Sequence, residues 1–347
     1  MKDRHHAPRK QRRKRHHYLP ESYLLSWADD REQVMVRRRD RNQPFPSAIT
    51  NVAVEAGLYA IPTPDGPDDS VEVALSDIEG PLSNHLAVLR EERTPSKNSD
   101  TRWEISYLIA LQLVRTPEHM GRMMFPEAAA KSTGESPISR NGMRRFLAER
   151  YLGEDPEEGE LQGALTFANY LLSKEAPTKE EIMASAFRLA EEEYAPRLTK
   201  MAWSVERSPK HPFITTDRPV AAWRRDPHNL ERIGAGLESA DEVHFPLGPN
   251  DLLVLRPRFP EKRYIVEPER AKQVNRHLST SCYQMAISRL DDVDELTRVP
   301  LSHIRPALRF NLGPLFTEGV NGNLLPTGRE ILHMYVPYGD NTRRGST

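Results

Sequence analysis

The middle of the chain has a helical pattern. Between Val71 and Arg93 the apolar residues Val71, Leu75, Ile78, Leu82, Leu86 and Leu89 keep the three-and-four spacing of a buried stripe. Gly80-Pro81 falls inside that stretch and predicts a kink. Arg102–Phe125 is the most apolar segment, with Ile105, Leu108, Ile109, Leu111 and Leu113, and Pro117 is expected to bend or end it. Further helices are predicted over Asn141–Tyr151, 161–173 and 178–200. From Met201 the pattern changes to short extended runs: Ala202–Glu206, Pro212–Thr215, Val220–Trp223, Val243–Pro246, Leu252–Leu255 and Arg263–Val266. A helix over Glu267–Thr280 precedes strands at Tyr283–Ile287 and Leu332–Val336. Ahead of the helical block, Tyr23, Leu24 and Trp27 predict a short helix over His16–Trp27, with Pro20 at a first helical position. Gln33–Arg39 alternates as a strand, Val52–Ile61 reads as extended with a turn at Gly57, and 62–69 reads as a loop.

Helices followed by strands predict an α+β fold, a helix-rich N-terminal half packed on a mainly antiparallel sheet from the C-terminal half. The expected division is a disordered basic arm over 1–15, one α+β domain over 16–310 and an irregular segment over 311–347. Within the domain, 70–200 is helical and 201–290 strand-rich. The 347 residues suffice for a sizeable core.

Charge changes this picture at one end. The formal net charge of −1 combines an arm of +7 (eight Lys or Arg against Asp3 in residues 1–17) with a remainder of −8. A block of like charge is expected to stay disordered, and it gains affinity for nucleic acid by releasing counterions. No aromatic interrupts residues 1–17, so base stacking is not indicated there. Nucleic acid through the arm is therefore the partner expected, set against a solvated tail. No run of about 18 apolar residues occurs, so no membrane partner is expected. The lone cysteine, Cys282, points to a reducing, cytoplasmic setting. The oligomeric state is left open.

Familiar catalytic patterns are missing. There is no phosphate loop, dinucleotide fingerprint, His-Glu-x-x-His, paired Cys-x-x-Cys or Gly-x-Ser-x-Gly. Arg298 and His303 are spaced as in some helical ribonucleases, but Pro300 lies between them. The nearest nuclease-like fragment is Asp226…Glu242-Val243-His244.

Three segments remain as candidates. In His16-His17-Tyr18, adjacent side chains diverge, so at most one histidine serves as base or ligand while the other packs. In Phe213-Ile214-Thr215-Thr216-Asp217-Arg218-Pro219, two apolar residues lead to hydroxyls and a carboxylate at the end of a strand. The competing reading is a side-chain-to-backbone turn. In Leu111-Gln112-Leu113-Val114-Arg115, Gln112 and Arg115 share one face of an apolar helix and need partners. They either tie that helix to a neighbour or clamp an anion. Glu79 and Asn275 are weaker members of the same set.

Taken in order, HHYLPESYLLSWA, ALQLVRTP, PFITTDRPV and HFPLGP followed by Val274-Asn275 resemble the domain of unknown function 4238 family over about residues 16–288. That family is bacterial and has no established activity. The resemblance implies that His16, His17, Tyr18, Gln112, Arg115, Thr216, Asp217, Pro219 and Asn275 occupy motif positions. The chain departs from the pattern in its long basic arm and in Arg218, where an Asn-like residue is more usual.

The functional expectation is a hydrolase acting on phosphodiesters or nucleic acid. His16 or His17 and Asp217 would be catalytic, as base or metal ligand, and a divalent metal would be compatible with them. Tyr18, Gln112, Arg115, Thr216 and Asn275 would hold substrate. The alternative is a non-catalytic nucleic-acid-binding or interaction protein in which these residues are structural ties. Convergence of His17, Arg115 and Asp217 in one open cleft separates the two.

Overall fold

The computed structural model describes residues 15–301, apart from 65, 92–93, 153, 175–177, 226–231, 235 and 238, together with 309–318 and 324–335. The arm over 1–14 and Asp226 lie outside the described residues.

The chain begins with strand β1 (Arg15–His17) and a single helical turn, α1 (Glu21–Leu24). The expected helix over His16–Trp27 is thus corrected at its start. Pro20 disfavours helical backbone at the residue before it. The 15–17 backbone instead pairs antiparallel with β4, His16 opposite Glu55. Strands β2 (Gln33–Arg38), β3 (Phe45–Ala48) and β4 (Val54–Ala56) follow, and Gly57 closes β4 with φ +64.

The helical block is cut where the sequence predicts. Gly80-Pro81 separates α2 (Ser70–Glu79) from α3 (Leu82–Glu91). Helix α4 (Asp100–Val114) is capped by the Ser99 hydroxyl, which accepts from the Arg102 N–H at 3.2 Å. Thr116 then caps α5 (Pro117–Met123), accepting from His119 N–H at 3.2 Å, so Pro117 opens a new helix. Helices α6 (Phe125–Thr133), α7 (Arg140–Leu147), α8 (Glu158–Leu172), α9 (Lys179–Arg188) and α10 (Ala195–Lys200) complete the block. A π-helical segment, Leu189–Tyr194, joins the last two.

Beyond it come β5 (Ala202–Arg207), β6 (Thr215–Thr216), β7 (Ala221–Arg225), β8 (Arg232–Gly234), β9 (Glu242–Gly248), β10 (Asp251–Arg256) and β11 (Arg263–Ile265). Helix α11 (Pro268–Ser281), β12 (Met285–Ser288) and α12 (Val293–Arg298) follow, then β13 (Arg309–Glu318) and β14 (Leu324–Tyr335). The last two pair antiparallel with α8 alongside. Residues 311–347, expected to be irregular, therefore contain most of a hairpin. Its strands escape the alternation rule because Gly313, Pro314, Pro326 and Gly328 interrupt them.

The architecture is α+β. One sheet has six strands in the order β11-β5-β10-β9-β7-β8, antiparallel except for the β11–β5 pair. A second, β3-β2-β12-β6, is antiparallel and takes two of its strands from the N-terminal region. Alternation along β10 explains why the large sheet is covered on both sides. Leu253 and Leu255 join Trp27, Leu108 and Trp203 in the main core, while Leu252 and Val254 meet Val274 and Leu278 of α11. A separate cluster under α6–α8 contains Phe125, Met143, Phe146 and Leu161.

Arg102 of α4 is wholly buried within this frame. It donates to the carbonyls of Pro95, Thr199 and Met201 and pairs with Glu261 at 3.0 Å. Its guanidinium lies 4.4 Å above the Trp203 ring. Among the described residues no helix is long and apolar enough to cross a membrane.

Candidate functional site

Strand β1 aims His16 inward, where it is fully buried. Its Nδ1 accepts from Tyr59 N–H at 2.8 Å, which leaves the proton on Nε2, 3.2 Å from Asp69 Oδ1. The ring stacks on Tyr59 at 5.6 Å. His17 points the other way, as alternation requires, with Nε2 3.2 Å from Glu21 Oε1. Burial lowers its pKa against the pull of Glu21.

Arg115 is the residue that ends α4. It forms an ion pair with Glu79, donates to the His17 carbonyl, and donates through Nε to Tyr59 Oη at 3.3 Å. The Tyr59 hydroxyl in turn donates to the Arg115 carbonyl at 2.6 Å. The next residue of β1's continuation, Tyr18, reaches the opposite way and donates its hydroxyl to Asp217 Oδ2 at 3.3 Å. Asp217 also accepts from the N–H groups of Tyr283, at 2.9 Å, and Gln284, at 2.7 Å. Burial pushes its carboxyl up to about 6, against hydrogen bonds from backbone 283–285 and the nearby Arg39, which pull it down.

Thr216 closes the turn after β6, accepting from Arg218 N–H and donating to Arg218 O at 2.7 Å. Arg218 pairs with the partly buried Glu118 at 2.7 Å. Beside that pair, burial and Arg122 lower the His119 pKa to about 4. Asn275 of α11 accepts from Ile214 N–H and donates to Pro212 O, splinting the loop before β6. Gln112 is buried on α4, and its Oε1 finds no hydrogen-bond partner among the described residues.

The structure thus joins His17, Tyr18, Arg115 and Asp217 through consecutive residues at the end of β1. Arg115 and Asp217 do not meet each other. Glu79 is the counter-charge of Arg115, and Asp217 is bonded by the backbone N–H groups of Tyr283 and Gln284. Asn275 stands apart from this web. Among the described residues no group of three or more His, Cys, Asp or Glu is placed to hold a metal ion.

Two clusters missed by the motif reading flank the six-stranded sheet. On the α11 face, Glu206 of β5 and Glu242 of β9 alternate with Arg256 of β10 and Arg270 of α11 at 2.7–3.1 Å. His244 adds a contact to Glu242 at 2.8 Å. The nuclease-like fragment Glu242-Val243-His244 is therefore part of an ion-pair lattice.

On the opposite face lies a cavity of about 500 Å³ lined by Arg90, Glu91, Arg207, Arg263, Asp251 and the Gly248–Asn250 turn. Arg263 is fixed by the carbonyls of Leu89 and Arg90 in the last turn of α3. Arg90 donates to Ser26 Oγ at 3.0 Å, but its buried Nε has no partner among the described residues. Arg207 is 53% exposed and stands 3.6 Å from Asp251 Oδ1. Burial raises the Asp251 pKa against the three arginines.

The model of one family, described as "Protein of unknown function (DUF4238)", matches residues 15–292. The chain belongs to the DUF4238 family. No curated protein and no solved structure matches it. The DUF4238 match begins at β1 and ends within the 3₁₀ turn Leu290–Asp292, so it encloses the whole polar web, the lattice and the arginine notch. Sequence could find Gln112, Arg115 and Asp217 because each is polar beside apolar sequence. The notch arginines carry no such contrast, since an arginine at a strand end or in a last helical turn is ordinarily a solvated residue.

Proposed function

We propose that this DUF4238 protein is a non-catalytic binding module that captures an anionic group, a carboxylate or a phosphate, in the arginine notch. The observation that carries the reading is the convergence of Arg90, Arg207 and Arg263 on an open cavity whose one buried acid among the described residues is Asp251. Guanidinium groups match carboxylate and phosphate oxygens bidentately, and Arg207 has its fork exposed to do so. A cavity of about 500 Å³ falls in the usual range for small ligands and side-chain groups.

Hydrolysis of phosphodiesters finds less support. That chemistry needs a base, a carboxylate and a cation open to one substrate. Asp217 and Arg115 are both almost fully buried, and each spends its hydrogen bonds on other elements of the fold. The basic arm remains the expected contact for nucleic acid.

The test is hydrogen–deuterium exchange of the full chain titrated with hexaglutamate and, separately, with inorganic pyrophosphate. Either anion should slow exchange in the turn over 248–251. Arg207→Glu should weaken that protection by about tenfold or more, a cost of at least one unit of binding energy on the logarithmic scale. Protection confined to residues 1–17, or unchanged by Arg207→Glu, refutes the reading.

A further inference from the structure

The notch sits beside an open sheet edge. Strand β11 is the last strand on its side of the six-stranded sheet among the described residues. Val205 N–H donates to Lys262 O, and Val266 N–H donates to Arg207 O. Residues 262, 264 and 266 therefore turn their backbone groups toward β5, and alternation turns those of Arg263 and Ile265 outward. Ile265 is 80% exposed, well beyond any other large apolar side chain described. An outward backbone edge carrying an exposed apolar residue is a template for another strand.

Charge tells what kind of strand fits. Between Arg258 and Ile265 the chain holds Arg258, Lys262 and Arg263 against Glu261, a net of +2. This stretch stands on a body that is otherwise acidic. Arg263 belongs both to β11 and to the notch, and Ile265 lies two residues further along the same face. A strand laid along β11 with an acidic side chain at one position would place its carboxylate at Arg263 and Arg207, and an apolar side chain two residues away would cover Ile265. A nucleic-acid strand fits less well, because no aromatic lines the notch to stack a base.

We infer that β11 is a docking edge for an extended acidic peptide of a partner protein, added as a further strand with its carboxylate in the arginine notch. This rests on the proposed anion capture and adds the identity of the partner. Main-chain hydrogen bonds would supply affinity, and alternate side chains the specificity.

The probe is the peptide Glu-Val-Glu-Val-Glu-Val, with exchange of the 263–266 amides in the full chain as the site-specific readout. Expected is slowed exchange there, weakened about tenfold by N-methylation of the peptide backbone, by Ile265→Pro, and by Arg207→Glu. Ile265→Pro removes one outward N–H and suits an edge position. Should that variant not fold, the N-methylated peptide carries the same test. Binding that is lost in Arg207→Glu but indifferent to N-methylation and Ile265→Pro overturns strand addition while leaving anion capture standing. Binding indifferent to all three sinks both. Protection of 263–266 by single-stranded oligonucleotide rather than by the peptide, or by self-association of the chain as its concentration rises, also overturns the inference.

Discussion

The two faces of the six-stranded sheet carry charge in contrasting ways. On the α11 face, Glu206 and Glu242 meet Arg256 and Arg270, two acids and two bases, each almost buried and each bonded to the others. On the α3 face, three arginines surround Asp251 with Glu91 at the rim, among the described residues, around open space. Neighbouring residues of one strand, Glu206 and Arg207, supply one member to each. A balanced, sealed lattice has satisfied its own charges and has nothing left to offer a ligand. An open one keeps the exposed fork of Arg207 available. The contrast shows why the count of charges alone is a poor guide to a site, and why balance together with access is a better one.

The largest effect should come from unbalancing the sealed face. Glu242→Ala leaves Arg256 and Arg270 with one buried carboxylate between them, and such breaks cost about 3–5 kcal/mol. Urea unfolding would measure the loss; a cost near zero would mean that the lattice is wetter than its burial implies.

The sealed web should also reveal itself by pH, with two groups of opposite sign. Asp217 titrates at about 6 in the fold, above its ordinary 3.8. Its protonated form is favoured there, so its contribution is fully present below 3.8 and is lost as pH rises through 6. His119 titrates at about 4, below its ordinary 6.5. Its contribution is present above 6.5 and is lost as pH falls through 4. Between those limits the two partly cancel in the native chain. Unfolding free energies across pH 3.5–7.5 should separate them: Asp217→Asn removes the gain toward acid, and His119→Gln removes the loss.

The smallest effect on stability belongs to the open face. Arg207→Ala should shift unfolding by no more than about 0.5 kcal/mol, because the side chain is half exposed. The same substitution should still weaken protection of the 248–251 turn by hexaglutamate, though less than Arg207→Glu does. A large stability loss would make Arg207 a structural residue and erase the contrast between the faces.

Much of this fold is legible in the sequence because its signals are local. Gly80-Pro81 and Pro117 mark helix boundaries through backbone chemistry, and the change of period at Met201 marks the entry to the sheet. Strand β1 was not legible, because its partner β4 lies some 40 residues on and its own residues carry a helix-like spacing. Arg115 and Asp217 stood out as polar groups beside apolar sequence, and His16 as part of a His-His-Tyr motif. Their partners did not, since Glu79, Tyr59 and the backbone of 283–284 are chosen by packing. The notch draws on α3, β5, β10 and β11, with Arg90 and Arg263 separated by 173 positions. No local pattern connects them.

The buried Arg102 has a consequence in time rather than in energy. Its bonds to Thr199, Met201 and Glu261 span 97, 99 and 159 positions. Contacts that close loops of that size are entropically expensive to form early, so they belong to the late side of the folding barrier. Arg102 therefore acts as a latch: it governs how slowly the protein opens more than how quickly it folds. Lysine lacks the planar fork that reaches these oxygens together. In stopped-flow unfolding and refolding, Arg102→Lys should steepen the loss chiefly through a faster opening rate, with refolding little changed.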